Sequence, residues 1–291
     1  MSKALAEARQ TRIFLVRHGE SEGNIDPQQY IVRGDHGLRL TPRGIAQAQA
    51  AGRFLSDYLA ALRAAEGETF GRLRLWFSDY YRTRETARHI LPELAEVFDF
   101  RPGGEASYER SNFLIERRSG LYDGLNRKTF KELYPDAAAY YEKHQRNGGA
   151  SYAPSPLGES RLDVVVRVKP FFGTIAKDRV KSDIRNIGVV SHGMTVRAFV
   201  AGWMHYAPEW IEAEMNPGNC WVRLLEGNAR DGYVDRGYIF GENAPLGDPA
   251  ATQKPFKGAK NVFFLKPMRP GEVVPAGVTP IDPLKREVCK L

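Results

Sequence analysis

Ile13-Phe14-Leu15-Val16-Arg17-His18-Gly19-Glu20-Ser21 is a short apolar run that breaks directly into a charged, glycine-containing turn. It reads as a buried strand with reactive side chains at its carboxyl end. In open α/β sheets that end is where loops converge and helix N-termini point, so ligands bind there. The pattern returns at Val189-Val190-Ser191-His192-Gly193, again closing an apolar run and opening a helix. Between and around them, strands and helices alternate. Thr41-Pro42 has the cap-then-proline order of a helix start, and an apolar stripe of period 3.6 carries that helix to about residue 65. Further strands are expected at 73–77, 97–100, 187–190 and, as the last core strand, 220–225; further helices at 80–91, 158–176 and 194–204. The stretch 108–152 mixes aromatics, arginines and glycines without a period and reads as short helices and loops over a site. Alternation of this kind indicates an α/β layer structure.

The chain has 291 residues, 42% hydrophobic and 26% charged, an ordinary composition for a soluble globular protein. Two cysteines, Cys220 and Cys289, make neither a disulfide framework nor a cysteine-rich zinc site and suit a reducing, cytoplasmic setting. The first ten residues hold Lys3, Glu7 and Arg9 and lack a signal peptide's apolar core. The most apolar long window, 187–204, is interrupted by His192 and Arg197, so no transmembrane helix and no membrane partner are expected. A net charge of +7 admits nucleic acid, anionic lipid or a phosphorylated small molecule. The basic residues are scattered in runs no longer than two, which argues against nucleic acid. Eight of 18 prolines fall between 245 and 283, so residues 229–291 read as a proline-rich arm, packed on the domain through Val262-Phe263-Phe264-Leu265.

A histidine at a strand end, followed by a glycine that lets backbone approach closely, is well placed as a nucleophile. A buried polar turn would explain either His-Gly alone, but two in one sheet are hard to explain by packing. His18 attacking and His192 donating to the oxygens would place both around one anion. Arg17 adds a planar fork for phosphate oxygens. In Ser78-Asp79-Tyr80-Tyr81-Arg82, Ser78 is expected to cap the second helix, and Arg82 to complete the fork from that helix's first turns.

With these residues assembled, the chain from about 11 to 225 resembles the histidine phosphatase superfamily in its phosphoglycerate-mutase-like branch. The resemblance is carried by the Arg17-to-Ser21 loop with Asn24, Leu40-Thr41-Pro42-Arg43-Gly44, and Ser78, Arg82 and Thr86 at intervals of four. It continues through Glu116-Arg117-Arg118-Ser119-Gly120, Gly124-Leu125-Asn126-Arg127, Gly158-Glu159-Ser160, Ser191-His192-Gly193 and Asn216-Pro217-Gly218. It implies a three-layer α/β/α sandwich with a mostly parallel sheet over 11–228, a helical lid at about 105–152, and the arm beyond. It also implies transfer of a phosphoryl group to His18 as a phosphohistidine, with Arg17, Arg82 and His192 holding the oxygens and Asn24 at the pocket wall. The matching general acid is Glu116, with Glu109 and Asp123 as rival carboxylates nearby; Arg117 and Arg118 would favour its ionised form. No cofactor and no metal are implied, and none of the six histidines has a spacing such as His-Glu-x-x-His.

Several positions depart from the mutase pattern. Ser119 stands where a tyrosine is usual and Arg127 where a lysine is. Lys143 and Arg146 replace a twin arginine, and Val32-Arg33-Gly34-Asp35-His36-Gly37 replaces a Thr-Gly-Trp segment. A mutase needs such groups to retain a bisphosphorylated intermediate, so the expectation is hydrolysis of a phosphorylated small molecule or phosphoprotein. Mutase-type transfer is the alternative, and a non-catalytic phospho-ligand-binding module the rival of another class. Arg33 and His36 are the candidate substrate-selecting residues. A homo-oligomer is compatible with all of these readings.

Overall fold

The computed structural model describes residues 8–241. Six strands form one sheet in the order β3-β2-β4-β1-β5-β6. They are β1 (Thr11–Arg17), β2 (Arg72–Ser78), β3 (Ala106–Ser111), β4 (Ile184–Ser191), β5 (Val222–Asn228) and β6 (Gly232–Phe240). The first four are mutually parallel, whereas β5 runs antiparallel to β1 and β6 antiparallel to β5. The helices in chain order are α1 (Glu22–Ile25), α2 (Gln29–Arg33), α3 (Pro42–Glu66), α4 (Tyr81–Ala95), α5 (Arg127–Leu133), α6 (Pro135–Gly148), α7 (Arg161–Lys181), α8 (Gly193–Met204) and α9 (Pro208–Ala213).

Strand β4 is buried along its whole length and β1 along all but Arg17. Central parallel strands are covered on both faces, which is why 13–16 of β1 and 187–190 of β4 read as apolar runs without a polar side chain. Successive side chains still alternate: Phe14 and Val16 join a core with Leu55, Leu59, Ile90 and Leu94 of α3 and α4. Ile13 and Leu15 join the opposite core with Phe171 and Ile175 of α7 and Phe199 of α8. The result is three layers. Thr41 caps α3 by accepting from the Gly44 N–H at 3.0 Å, with Pro42 in the first turn, a cap worth about 1 kcal/mol.

Four expectations need correction. Residues 97–100 are not a strand. The Val97 and Phe98 N–H groups both return to the Leu94 carbonyl, and Phe98 is buried against Phe70. The sheet edge is instead β3, exposed at Tyr108, Glu109 and Arg110, so its polar character hid it. The lid consequently begins after Ser111 and not at 105. The strand read as last is followed by β6, so the segment from 229 opens with a strand of the sheet itself. The rest of the arm, with Val262 to Leu265, lies outside the described residues.

The topology gathers the site. The parallel order β2-β4-β1 brings three carboxyl ends to one edge, with Arg17 opposite Ser191 and the His18 N–H bonded to the Ser191 carbonyl at 2.9 Å. The lid is pinned there too, because Ser191 Oγ donates to the Leu114 carbonyl and Thr195 Oγ1 to that of Ile115, both at 2.7 Å. Inside the lid, Tyr122 stacks on the fully buried Phe130, and Arg127 and Lys131 both bond Glu142. No helix among the described residues is long and apolar enough to cross a membrane.

Candidate active site

His18 is held by its surroundings in one protonation pattern. Its Nδ1 lies 2.8 Å from the Gly19 carbonyl, which can only accept, so Nδ1 carries the hydrogen and Nε2 keeps the lone pair. Arg82 Nε donates to that Nε2 at 3.2 Å, in agreement. The turn itself is fixed from two sides. Thr86 Oγ1 accepts from the Gly19 N–H at 3.0 Å and donates to the Arg82 carbonyl at 2.7 Å. On the other side the loop packs backbone to backbone on the start of α3. A Cβ on Gly19 would lie 2.4 Å from the Gly44 carbonyl oxygen, and one on Gly44 would lie 2.0 Å from that of Glu20. Glycine at both places is a consequence of that close approach.

His192 is fully buried at the start of α8, its ring 5.3 Å from that of His18 and 5.1 Å from that of Tyr80. Its Nε2 is 2.8 Å from Ser78 Oγ, while its Nδ1 is buried without a partner. Ser78 therefore serves His192 and does not cap α4, whose N-cap is Tyr80. Burial pushes both imidazoles well below their ordinary range, and the Arg82 and Arg17 guanidiniums push them further. Both rings are neutral near pH 7, and His18 presents a free base.

Arg82 is almost fully buried, and its Nη1 pairs with Asp35 Oδ1 at 2.8 Å while also donating to the Asp35 carbonyl. Arg17 donates from Nη1 to the Pro217 carbonyl at 2.6 Å and has its Nε buried without a partner. Asn24 Oδ1 accepts from the Ser21 N–H at 3.0 Å and from Asn219 Nδ2 at 3.2 Å. Its own amide nitrogen stays available at the cavity wall. Arg17, His18, Asn24 and Arg82 line a cavity of about 190 Å³ with Tyr30, Asp35, Glu116, Arg117, Ser119, Tyr122, Asp123 and Gly124, and His192 lies behind that lining against the His18 ring.

A model of the histidine phosphatase superfamily, branch 1, matches residues 13–237. The chain belongs to that superfamily. It is 32% identical over 222 residues to the phosphoglycerate mutase-like protein AT74 of Arabidopsis thaliana, a match covering 74% of this chain but 64% of the relative's length. It is 30% identical over 190 residues to the 2,3-bisphosphoglycerate-dependent phosphoglycerate mutase of Methylorubrum populi, covering 65% of this chain and 76% of the mutase. The fold is shared with a mycobacterial glucosyl-3-phosphoglycerate phosphatase at TM-score 0.55 and 20% identity, over 80% of this chain and all of that one (100%). It is shared equally with the phosphoglycerate mutase of Bacillus anthracis, at TM-score 0.56 and 16% identity over 80% and 94% of the two chains.

Within this superfamily member the structure brings His18, His192, Arg17, Arg82, Asn24 and Glu116 around one edge of the sheet. Glu116 Oε1 accepts from the Arg117 N–H at 2.8 Å, and Oε2 from the Met194 N–H in the first turn of α8 at 3.3 Å. The side chains of Arg117 and Arg118 reach the carbonyl and the carboxylate of Glu159 respectively. Of the rival carboxylates, Glu109 is exposed on β3 away from the cavity, and Asp123 sits at its rim. Arg33 and His36 do not line the cavity. Both are exposed, and Arg33 pairs with Glu22 at 3.3 Å; the residue their loop delivers is Asp35.

Sequence reasoning also missed the role of Arg167. From α7 it donates to the Phe113, Ile115 and Glu116 carbonyls at 2.8, 3.1 and 3.3 Å, and its Nε bonds buried Glu159 at 2.8 Å. Burial alone would raise the Glu159 carboxyl, but the bonds from Arg167 and the Arg118 N–H more than offset this and hold it below its ordinary range. The pair fixes the backbone that carries Glu116.

Proposed function

We propose that this chain is a phosphomonoesterase working through a phosphohistidine on Nε2 of His18. The observation that carries the reading is a neutral, tautomer-fixed imidazole whose lone pair meets the buried Arg82 guanidinium in a cavity that Arg17 also lines. The Nε2 lone pair attacks phosphorus as the P–O bond to the leaving group breaks, and Glu116 gives its proton to the departing oxygen. Arg82 transfers its Nε–H from His18 to the phosphoryl oxygens, Arg17 supplies the second fork, and the His192 Nδ1 meets a third oxygen. Water then attacks the phosphohistidine, returning a proton to Glu116, and inorganic phosphate leaves. Positioning and charge stabilisation carry most of this work.

Mutase-type transfer is the second reading, favoured by the names of the Methylorubrum and Arabidopsis relatives. Hydrolysis is supported over it by the lid. Arg127 is tied to Glu142 on an exposed face, Lys143 and Arg146 are exposed, and none of the three lines the cavity. Such a lid offers little to retain a second phosphate. The small cavity favours a small phosphorylated molecule over a phosphoprotein, and the buried free thiol of Cys220 suits a cytoplasmic setting. The test incubates the protein with small phosphomonoesters, with 3-phosphoglycerate, and with a trace of 2,3-bisphosphoglycerate. The expected outcome is phosphate released in step with free alcohol; accumulation of 2-phosphoglycerate without phosphate would replace this reading with the mutase.

A further inference from the structure

Asp35 is an unusual neighbour for a phosphate site. Its carboxylate holds Nη1 of Arg82 while Nε of the same guanidinium faces His18, so Asp35 stands one side chain away from the reacting nitrogen. It lies in the 32–37 segment that departs from the mutase pattern. The charges lining the cavity are Arg17, Arg82 and Arg117 against Asp35, Glu116 and Asp123. A phosphoryl dianion takes up Arg17 and Arg82. What is left for the rest of the molecule is Arg117 opposed by the carboxylates Asp35 and Asp123, with the neutral polar groups of Tyr30, Tyr122, Asn24 and Ser119. That surface repels a second anion and offers acceptors to hydroxyl and ammonium groups.

We propose that Asp35 is a specificity-determining residue that turns the site against phosphomonoesters bearing a nearby carboxylate and toward those bearing hydroxyl or ammonium groups, such as polyol and amino-alcohol phosphates. The proposal rests on the phosphomonoesterase reading above. A site discriminates by leaving charges unpaired against the wrong ligand as much as by pairing the right one. Partial burial pushes the Asp35 carboxyl up, Arg82 opposes that shift, and the approach of another anion would push it further.

The test compares kcat/KM for glycerol 3-phosphate and 3-phosphoglycerate, which differ in a hydroxymethyl against a carboxylate, in wild type and Asp35→Asn. The asparagine keeps the shape and can still accept from Arg82. Wild type is expected to prefer glycerol 3-phosphate by about tenfold or more, and the variant to lose most of that preference through a lower KM for 3-phosphoglycerate. Equal losses on both esters with the ratio unchanged would overturn the proposal and reduce Asp35 to a support for Arg82. Binding of the same two esters by calorimetry to His18→Ala, with and without Asp35→Asn, reads the ratio independently of turnover. A binding ratio that shifts as expected while the wild type hydrolyses neither ester would sink the hydrolase reading and keep the selector; failure of both esters to bind would overturn both.

Discussion

His18→Ala lowers kcat on every phosphomonoester the wild type hydrolyses by about ten-thousandfold or more, the scale expected when a covalent nucleophile is removed. Among the described residues, two neighbouring groups are poor substitutes. The His192 Nε2 is engaged by Ser78, and the thiol of Cys220 is pushed up by burial and stays protonated. Losing the ring also frees the buried Gly19 carbonyl, so His18→Asn, whose amide can donate to that carbonyl, separates lost chemistry from lost folding. Both variants should keep the wild-type circular dichroism, and neither should turn over. Rates within tenfold of wild type for His18→Asn would place the nucleophile elsewhere.

Arg82→Ala is expected to cost about a thousandfold in kcat/KM, and Arg82→Lys to recover little of it, because a point charge cannot reproduce a planar fork between phosphoryl oxygens and Nε2. It also has a pH signature. Burial and then Arg82 are the largest causes of the depressed His18 value. Removing Arg82 takes away a contribution that lowers it and leaves the Asp35 carboxylate unopposed, which favours imidazolium. His18 then protonates at higher pH, so the acid limb of the kcat/KM profile moves up in Arg82→Ala. A uniform loss with an unmoved acid limb would mean that Arg82 acts on the substrate alone and not on the nucleophile.

Which parts of this were legible in the sequence follows from how each residue is used. β1 and β4 could be read because their central residues are apolar on both faces, β2 from Leu73, Leu75, Trp76 and Phe77, and α3 because Thr41 and Pro42 mark its start. Edge strand β3 was hidden by its polar face, and residues 97–100 imitated a strand because their apolar side chains pack a helix end. The two histidines and two arginines were visible because parallel topology sends strand ends and the following helix starts to one edge. Asp35 and Arg167 were not. Asp35 reaches the site from a loop and meets Arg82, 47 residues away, and Arg167 acts on carbonyls 51 to 54 residues away. Nothing in local spacing records such partners.

The central claim, a phosphoryl group carried on His18, is tested most directly by rapid acid-free quenching of wild type with a phosphomonoester, followed by intact-mass and peptide mass spectrometry. The account predicts a single acid-labile phosphoryl adduct that maps to His18, is absent from His18→Asn, and decays as inorganic phosphate appears. Phosphate released at the same rate with no adduct at any time, or an adduct on another residue, would contradict it.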